Sequence, residues 1–325
     1  MKNKNIIIIV LAVICCLLLG AVGYTMMSDK NQKEKAASGS DSDNRTSQSG
    51  TVVVDGVEYR PNTNLQTVLF MGIDRQEKAK DGENRPGENG QSDSLNLLVA
   101  DRETGKAQIL QISRDSMVEI DIYSASGEKM MSELGQIALQ YAYGDGEELS
   151  CRLTTEKVSE LLYGVDIQSY LSLTLEGMIR TADSIGGVTI TIPEDYTDID
   201  PAFVKGESVT MNGDLVEKYV RTRDIDVLES NVDRMKRQQQ FMSALIEKLQ
   251  EMQGSTQYMK LYQQMEPYMV TNMTADEMKA LSEYEIDSET LEVPGEIIYK
   301  DGHAQFIVDN KSLQKIVLKT FYKSN

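Results

Sequence analysis

Histidine and cysteine are scarce in this 325-residue chain, and their scarcity excludes several kinds of catalytic site. The single histidine, His303, follows Gly302 in a predicted turn near the C-terminus. This placement argues against Ser-His-Asp and Cys-His catalysis, and one histidine excludes multi-histidine metal centres. Cys15 and Cys16 lie in an apolar N-terminal run, so Cys151 has no partner for an intrachain disulfide beyond that run. The chemistry is therefore expected to use carboxylates, arginines or a hard cation.

Net positive charge is also lacking, because 51 acidic residues outweigh 33 Lys and Arg residues and give a formal charge of -18. Such a chain does not fit a nucleic-acid-binding protein, whose footprint is a basic patch or stripe. Within this acidic chain, however, four of the twelve arginines lie between positions 221 and 237. Guanidinium groups are planar, permanently charged donors that suit phosphate oxygens, so this window predicts an anionic ligand.

The spacing inside that window allows the side chains to converge. Arg234, Arg237 and Gln238 recur at the three- and four-residue intervals that share one face of a helix. Arg221 and Arg223 share one face of an extended segment. The alternative is a solvated charged helix with local ion pairs, since carboxylates are close by at Asp224, Asp226, Glu229 and Asp233.

Near the N-terminus, residues 6–23 carry no charged or strongly polar side chain, and the uncharged run continues to residue 27. That length is close to the ~20 residues a membrane-spanning helix needs and exceeds the apolar core of a signal peptide, about 7–15 residues. Cleavage at Ala21-Val22-Gly23 is the alternative. Lys2 and Lys4 precede the run, and positive charge favours the cytoplasmic side. We therefore expect a single-pass cell-membrane protein with an extracellular C-terminal body, with residues 1–4 cytoplasmic and residues 5–27 the anchor.

The remainder of the chain divides by composition into four segments. Residues 28–50 are polar and small, as in a flexible spacer. Residues 51–64 predict a short β-hairpin that turns at Asp55-Gly56. From residue 65 to 252, strand patterns alternate with helical ones, which predicts an α/β domain with helices on both faces of its sheet. Residues 253–325 are expected to form a C-terminal extension packed on that domain.

Hydrophobic periodicity places the individual elements. Strands are predicted at 67–72, 94–100, 107–112 and 187–193, and helices at 132–142, 155–163, 175–185, 214–220 and 230–252. The C-terminal extension adds a hairpin at 297–308 around Asp301-Gly302 and a closing amphipathic helix at 311–322.

Polar groups collect where the predicted strands begin and end. Asp74 follows the first strand, Asp93 precedes the second, and Arg114 and Asp115 follow the third. Ligands of open α/β sheets bind at the carboxyl ends of strands. Paired carboxylates facing arginines suit Mg²⁺ shared with a phosphate group. Taken singly, each aspartate is also a common turn or cap residue.

These polar residues belong to short motifs that follow one another in a definite order. The motifs are Val-Leu-Phe-Met-Gly-Ile-Asp-Arg (68–75), Gln-Ser-Asp-Ser-Leu (91–95), Ile-Ser-Arg-Asp-Ser (112–116), Tyr-Ala-Tyr-Gly (141–144), Ile-Gly-Gly-Val (185–188), Tyr-Val-Arg-Thr-Arg (219–223) and Asp-Arg-Met-Lys-Arg-Gln-Gln (233–239). Each is weak alone, but in order and spacing the set resembles the LytR-CpsA-Psr family across residues 65–245. The predicted anchor and spacer fit the same family.

The resemblance implies a membrane-anchored, extracellular enzyme that transfers a glycopolymer, such as teichoic acid or capsule, from a polyprenyl-pyrophosphate-linked donor to peptidoglycan. It implies an α/β fold, an α-β-α sandwich with a central mixed sheet, and an apolar tunnel for the polyprenyl chain. It also implies Mg²⁺ bound through Asp74 and Asp93, with pyrophosphate contacts from Arg114, Arg221, Arg223, Arg234 and Gln238. We expect Arg237 to join these contacts, and the catalytic residues to be Arg114, Asp115, Arg221 and Arg223.

One departure from the family pattern bears on the site. Gln91 stands where the family commonly has arginine, so one phosphate-side arginine is missing. Arg75 and Arg85 are the candidates to replace it. This departure motivates the main alternative function, a non-catalytic polyprenyl-phosphate-binding or regulatory module of the cell envelope. A pyrophosphatase that hydrolyses the carrier lipid is a third hypothesis.

In the transfer hypothesis, a sugar hydroxyl of peptidoglycan attacks the sugar-linked phosphorus of the donor. Asp115, Asp224 and Asp226 are candidates to accept the hydroxyl proton. Asp115 has a second interpretation, in which it orients Arg114 through an ion pair.

Overall fold

A computed structural model describes most of the chain beyond residue 49. The described ranges are 50–75, 86–124, 126–222, 263–281, 283–287, 290–300 and 303–324, together with the helical residues 234, 237, 240, 241, 244, 245, 248 and 261. Across these ranges, no helix has both the length and the apolar character needed to span a membrane. The predicted anchor at 5–27 lies outside the described residues.

The described residues form strands and helices, and seven strands precede the first described helix. The strands are β1 (Val52–Val54), β2 (Val57–Pro61), β3 (Leu65–Ile73), β4 (Ser92–Asp101), β5 (Lys106–Ile112), β6 (Met117–Tyr123), β7 (Lys129–Gln136), β8 (Ser169–Thr174), β9 (Val188–Thr191), β10 (Ser208–Met211), β11 (Met269–Thr271), β12 (Glu285–Ile286), β13 (Leu291–Glu292), β14 (Gly295–Lys300), β15 (His303–Val308) and β16 (Tyr322–Ser324). The helices are α1 (Leu139–Ala142), α2 (Glu148–Leu161), α3 (Leu175–Ser184), α4 (Gly213–Arg221), α5 (Ala275–Leu281) and α6 (Asn310–Phe321).

A seven-stranded mixed sheet forms the centre, in the order β11-β8-β3-β4-β5-β12, with β13 also paired to β5. Strand β4 is antiparallel to both β3 and β5, whereas β8 is parallel to β3. Strands β3 and β4 are buried along nearly their whole length, which matches the continuous apolar runs in the sequence. The strands predicted at 67–72, 94–100 and 107–112 are confirmed as β3, β4 and β5.

Helices cover both faces of this sheet because its strands bury side chains on both sides. Leu69, Leu97 and Leu110 pack with residues of α2 and α6 in one apolar cluster. On the other face, Val68 and Leu98 pack with α3, α4, α5 and the helical residues Phe241 and Leu245 in a second cluster. The predicted α/β fold with a central mixed sheet is therefore confirmed.

Smaller antiparallel units surround the central sheet. The hairpin β1–β2 turns at Asp55 and Gly56, which both have positive φ (50° and 79°), as a tight hairpin turn requires. The predicted hairpin at 297–308 is confirmed as β14–β15, although Asp301 and Gly302 themselves lie outside the described residues. Helices predicted at 175–185, 214–220 and 311–322 are confirmed as α3, α4 and α6.

The helix predicted at 132–142 is wrong. Residues 129–136 form β7, which pairs antiparallel with β6 from Met117↔Gln136 to Tyr123↔Lys129. The apolar residues Met130, Met131 and Leu134 mimic helical spacing, but all three are exposed. The helical spacing of these residues therefore does not mark a buried helix face. Pairing with β6 determines that the segment is a strand. Only the short helix α1 follows, at Leu139–Ala142.

A buried ion pair joins the β6–β7 hairpin to α2. Lys157 Nζ of α2 lies 3.2 Å from Asp121 Oδ2 of β6, and both residues are buried. Lys129 Nζ and Ser132 Oγ also contact the Asp121 carboxylate, each at 2.7 Å. Burial alone would raise the pKa of Asp121, but the hydrogen bonds from Lys129, Ser132 and Lys157 outweigh it and lower that pKa to about 2.

Replacing Asp121 by Asn is expected to lower the free energy of unfolding at pH 7 by about 3 kcal/mol, because Lys157 loses a buried counter-ion. A lowered folded-state pKa stabilises the fold above the ordinary aspartate pKa, and this contribution is lost as pH falls towards about 2. Denaturant titrations from pH 7 to pH 3 should show the difference between wild type and variant shrinking below pH ~4. A difference that stays constant over this range would contradict the assignment.

Candidate functional site

The candidate site forms at one edge of the central sheet, where three chain segments meet. Because β4 runs antiparallel to its two neighbours, the end of β3, the start of β4 and the end of β5 lie together. The end of β8 joins them, since Ile73 pairs in parallel with Thr174. This edge therefore brings Asp74, Asp93, Arg114 and Asp115 into one region, as the sequence predicted.

A β-bulge sets the position of Asp93. Gly72 pairs with Ser94 and Ile73 pairs with Ser92, which leaves Asp93 as an extra residue on β4. A bulge of this kind bends the strand and redirects a side chain. Next to it, Gln91 N donates to Asp74 Oδ1 at 2.6 Å, and Asp74 N donates to Gln91 O at 3.1 Å. Backbone bonds thus hold the two carboxylate-bearing segments side by side.

Arg114 is the centre of the polar group at this edge. Its Nη1 donates to Asp93 Oδ1, its Nη2 donates to Gln91 Oε1 at 2.7 Å, and its Nε lies 3.5 Å from Asp115 Oδ1. The side chain remains 25% exposed, so the guanidinium is held in place by the protein and still reaches solvent. Such a group can bind an oxyanion without a large rearrangement.

Asp115 is held from the opposite side by Gln136, the last residue of β7. Gln136 Nε2 donates to Asp115 Oδ1 at 2.7 Å and to the carbonyl of Ala304 at 2.8 Å. Desolvation raises the pKa of Asp115, and the Asp93 carboxylate raises it further, while Arg114 lowers it. The geometry therefore shows Asp115 engaged on both sides, by Arg114 and by Gln136.

Asp74 has the most perturbed carboxyl group of the site. Desolvation and repulsion by Asp93 raise the pKa of Asp74 to about 6, although the backbone bond from Gln91 and the charges of Arg114 and Arg234 lower it. Arg234 is thus close enough to act on Asp74 electrostatically. Repulsion between the two carboxylates is the condition that a shared cation would relieve.

The residues present fit a Mg²⁺ ion. Asp74 and Asp93 each accept one hydrogen bond at Oδ1, and within the described ranges no hydrogen bond to either Oδ2 atom is found. No group of three or more His, Cys, Asp or Glu side chains suited to a metal occurs in the described part of the chain. Mg²⁺ commonly uses one or two carboxylates and completes its shell with phosphate oxygens and water.

The arginines of the 221–237 window have different surroundings. Arg221 is the last residue of α4. Its side chain is 33% exposed, and its Nη1 lies 3.8 Å from Glu217 Oε1. Arg237 is 4% exposed; its Nε donates to Tyr219 O at 2.8 Å, its Nη2 donates to Thr222 O, and its guanidinium lies over the Tyr196 ring. In the described residues, contacts of Arg221 with the Asp93–Arg114 group are not found. Arg223 and Gln238 lie outside the described residues.

This geometry assigns Arg237 to the support of α4. Its donors are directed at the carbonyls that α4 leaves without intrahelical partners. The prediction that Arg237 contacts pyrophosphate therefore gains no support from the structure. Arg237, three residues after Arg234, lies inside the core.

The structure also explains the Tyr-Ala-Tyr-Gly motif. Tyr141 is buried and its hydroxyl donates to Gly146 O at 2.9 Å. Ser150 Oγ donates to Tyr141 O at 2.6 Å, and a Cβ at Gly144 would lie 2.4 Å from Ser150 Oγ. The motif thus builds the turn before α2.

Arg75 and Arg85 were the candidates to replace the arginine missing at position 91. Arg75 Nη1 lies against the turn before α2, 2.7 Å from where a Gly146 Cβ would be. Arg85 lies outside the described residues.

Sequence reasoning missed the roles of Gln91 and Gln136. Gln91 was taken as a missing arginine, but its side chain accepts a hydrogen bond from Arg114. Gln136 fell inside the helix wrongly predicted at 132–142. If residues 129–136 had been assigned to a strand that pairs with 117–123, Gln136 would have been placed opposite Met117, beside the end of β5.

Comparisons with known proteins agree on one family. A sequence model described as the LytR_cpsA_psr family matches residues 23–321. Biofilm regulatory protein A of Streptococcus mutans is 25% identical over 262 residues, covering 77% of this chain and 61% of that protein. The Bacillus licheniformis polyisoprenyl-teichoic acid–peptidoglycan teichoic acid transferase TagU is 26% identical over 212 residues, covering 65% of this chain and 61% of that protein.

Among solved structures, the crystal structure of B. subtilis TagV has a TM-score of 0.55 and 24% identity, covering 80% of this chain and 96% of that chain. At this level of identity the likeness concerns the fold. The chain spans 61% of the length of the two relatives named above.

The Asp74→Asn variant is expected to be more stable than wild type at pH 7.5 without divalent cations, because it removes a charge that is desolvated by burial and repelled by Asp93. A raised folded-state pKa stabilises the fold at acidic pH, and that contribution is lost as pH rises through about 6. The advantage of the variant should therefore shrink towards pH 4. Thermal unfolding in EDTA tests this, and a variant less stable than wild type at pH 7.5 would refute it.

The Arg237→Met variant is expected to have a free energy of unfolding lower by about 2–4 kcal/mol, because the carbonyl of the buried Tyr219 and the carbonyl of Thr222 lose their donor. Arg152→Ala is the matched control, since Arg152 is exposed and pairs with Glu156 on α2. Denaturant unfolding measures both variants. Equal stability of the two would show that Arg237 does not support α4.

Proposed function

Because this chain belongs to the LytR-CpsA-Psr family, we propose that it transfers a glycopolymer from a polyprenyl-pyrophosphate carrier to peptidoglycan. The observation that carries the proposal is Arg114, held by Asp93, Gln91 and Asp115 beside the second carboxylate, Asp74. The name of the TagU relative supports the same donor and acceptor classes. The proposal places the membrane anchor at 5–27 and the catalytic body outside the cell.

The proposed reaction is a phosphoryl transfer. A peptidoglycan sugar hydroxyl attacks the phosphorus that carries the glycopolymer. A phosphodiester forms, and the bond from that phosphorus to the bridging oxygen of the pyrophosphate breaks. The leaving group is polyprenyl phosphate, and the hydroxyl proton passes to a base or to water.

The residues at the sheet edge supply charge and orientation for this step. Arg114 binds a phosphate oxygen and stabilises the charge that develops on the leaving phosphate. Arg221, Arg223, Arg234 and Gln238 are proposed to complete the pyrophosphate contacts. Asp74 and Asp93 would hold Mg²⁺, which supplies further charge neutralisation when bound. Asp115, already engaged by Arg114 and Gln136, orients Arg114.

A specific observation favours a second candidate function, a non-catalytic polyprenyl-phosphate-binding or regulatory module. Gln91 takes one Arg114 donor that a substrate phosphate would otherwise use. The S. mutans relative carries a regulatory name. Such a module would bind the lipid and leave it unchanged.

Transfer is expected to fall at least about 100-fold in the Arg114→Ala and Asp93→Ala variants. The first removes a positive charge at the reacting phosphate, and the second removes a partner that orients Arg114 and a proposed ligand of Mg²⁺. The full-length protein in detergent is incubated with a polyprenyl-pyrophosphate-linked saccharide, peptidoglycan oligomers and Mg²⁺. Mass spectrometry then identifies a saccharide joined to peptidoglycan through phosphate. Arg152→Ala, on the exposed face of α2, is the control.

The products separate the candidate functions. Unchanged lipid that remains bound supports the regulatory module. Release of lipid phosphate without attachment to glycan identifies a pyrophosphatase. Near-normal transfer by both variants would refute the site assignment.

A further inference from the structure

The side chain of Gln136 joins two parts of the molecule that are far apart in sequence. Its Nε2 donates to Asp115 Oδ1 at 2.7 Å and to Ala304 O at 2.8 Å. Both partners are acceptors, so both amide hydrogens are used and the orientation of the amide is determined. Gln136 thus connects the end of β5 to the C-terminal hairpin β14–β15.

Two further contacts reinforce this junction. Phe306 N donates to Asp115 O at 2.8 Å, and Ser116 forms a parallel bridge with Phe306. Phe306 is itself buried in the core cluster that contains Leu110 and Ile112 of β5. The hairpin β14–β15 is therefore a wall of the site and fixes the backbone that carries Arg114 and Asp115.

The distances indicate why Asp115 depends on Gln136. Arg114 Nε is 3.5 Å from Asp115 Oδ1, which is long for a charge-assisted hydrogen bond. Gln136 Nε2, at 2.7 Å, is the shortest side-chain donor to that carboxylate within the described ranges. Without it, the side-chain contact that remains to the carboxylate within the described ranges is the long one to Arg114, so the carboxylate can rotate away.

We propose that Gln136 is a positioning residue that holds Asp115, and through it Arg114, in the orientation required for phosphoryl transfer; this inference rests on the proposed function. Arg114 has three sets of partners: Asp93 at Nη1, Gln91 at Nη2 and Asp115 at Nε. Asp93 and Gln91 are placed by the bulge on β4, whereas Asp115 is placed by Gln136. Without Gln136, the Nε side of the Arg114 guanidinium loses its fixed partner, whereas Nη1 and Nη2 keep Asp93 and Gln91.

The test replaces Gln136 by Leu, which keeps the approximate volume and removes both donors. Gln108→Leu is the matched control, because Gln108 is a half-buried strand glutamine near the opposite end of β5. The Gln136→Leu variant is expected to lose about tenfold or more in kcat, as outer-shell partners commonly do, with a smaller change in KM. The control should retain wild-type kinetics, and the melting temperatures of the two variants should agree.

A double-mutant cycle distinguishes positioning from general destabilisation. In an Asp115→Asn background, Gln136→Leu should change the rate by less than about twofold, because the residue through which it acts is already altered. Independent, multiplicative losses would overturn the proposal. A Gln136→Leu enzyme with wild-type kcat would overturn it as well.

A binding and spectroscopic arm needs no turnover, so it separates this inference from the proposed function. The full-length protein in detergent is labelled with ¹⁵N-arginine, and the Nε–H signal of Arg114 is assigned by its loss in Arg114→Lys. Gln136→Leu should shift that signal and weaken binding of inorganic pyrophosphate with Mg²⁺, whereas Gln108→Leu should do neither. An unshifted Arg114 signal refutes the positioning role. A shifted signal without any transfer by wild type refutes the proposed function alone.

Discussion

The antiparallel pairing of β4 with both β3 and β5 is the constraint on which the site depends. This pairing brings two strand ends and one strand start to a single edge, and the apolar clusters on both sheet faces hold it there. Asp74 is thereby held in a partly desolvated position near Asp93, and desolvation together with repulsion by Asp93 raises its pKa. The hydrophobic core supplies the stability that permits this unfavourable arrangement, and the proposed Mg²⁺ would relieve it.

Arginine residues with the same chemistry have divergent roles here because their environments differ. Arg114 lies at the sheet edge, partly exposed, with its donors directed at side-chain acceptors that leave it accessible. Arg237 lies in the interior, with its donors directed at main-chain carbonyls. Arg234, three residues earlier in the chain, acts on Asp74. Charge and spacing in the sequence identify these arginines as a group. Their burial in the structure then distinguishes an arginine that can contact a ligand from one that supports a helix end.

The sequence predicted the central strands and the position of the site because β3, β4 and β5 are long buried runs with polar residues at their ends. It did not predict the bulge at Asp93, since an extra residue in one strand changes no local propensity. It also missed β8 and assigned a helix to β7. Strand β8 is stabilised by pairing with β3, a hundred residues away in the chain, and β7 by pairing with β6, so tertiary contacts decide both. The role of Gln136 was hidden by the same error.

Both outer positions of the central sheet are filled by strands from the last part of the chain. Strand β11 pairs with β8 at one side, and β12 and β13 pair with β5 at the other. During synthesis, the nascent chain therefore exposes two unpaired strand edges until residues 269–292 have emerged. Open edges are templates for pairing with other chains, so the period before the C-terminal residues arrive is the time of greatest aggregation risk. The order in which this fold is synthesised thus leaves both open edges of the central sheet unpaired until late in synthesis.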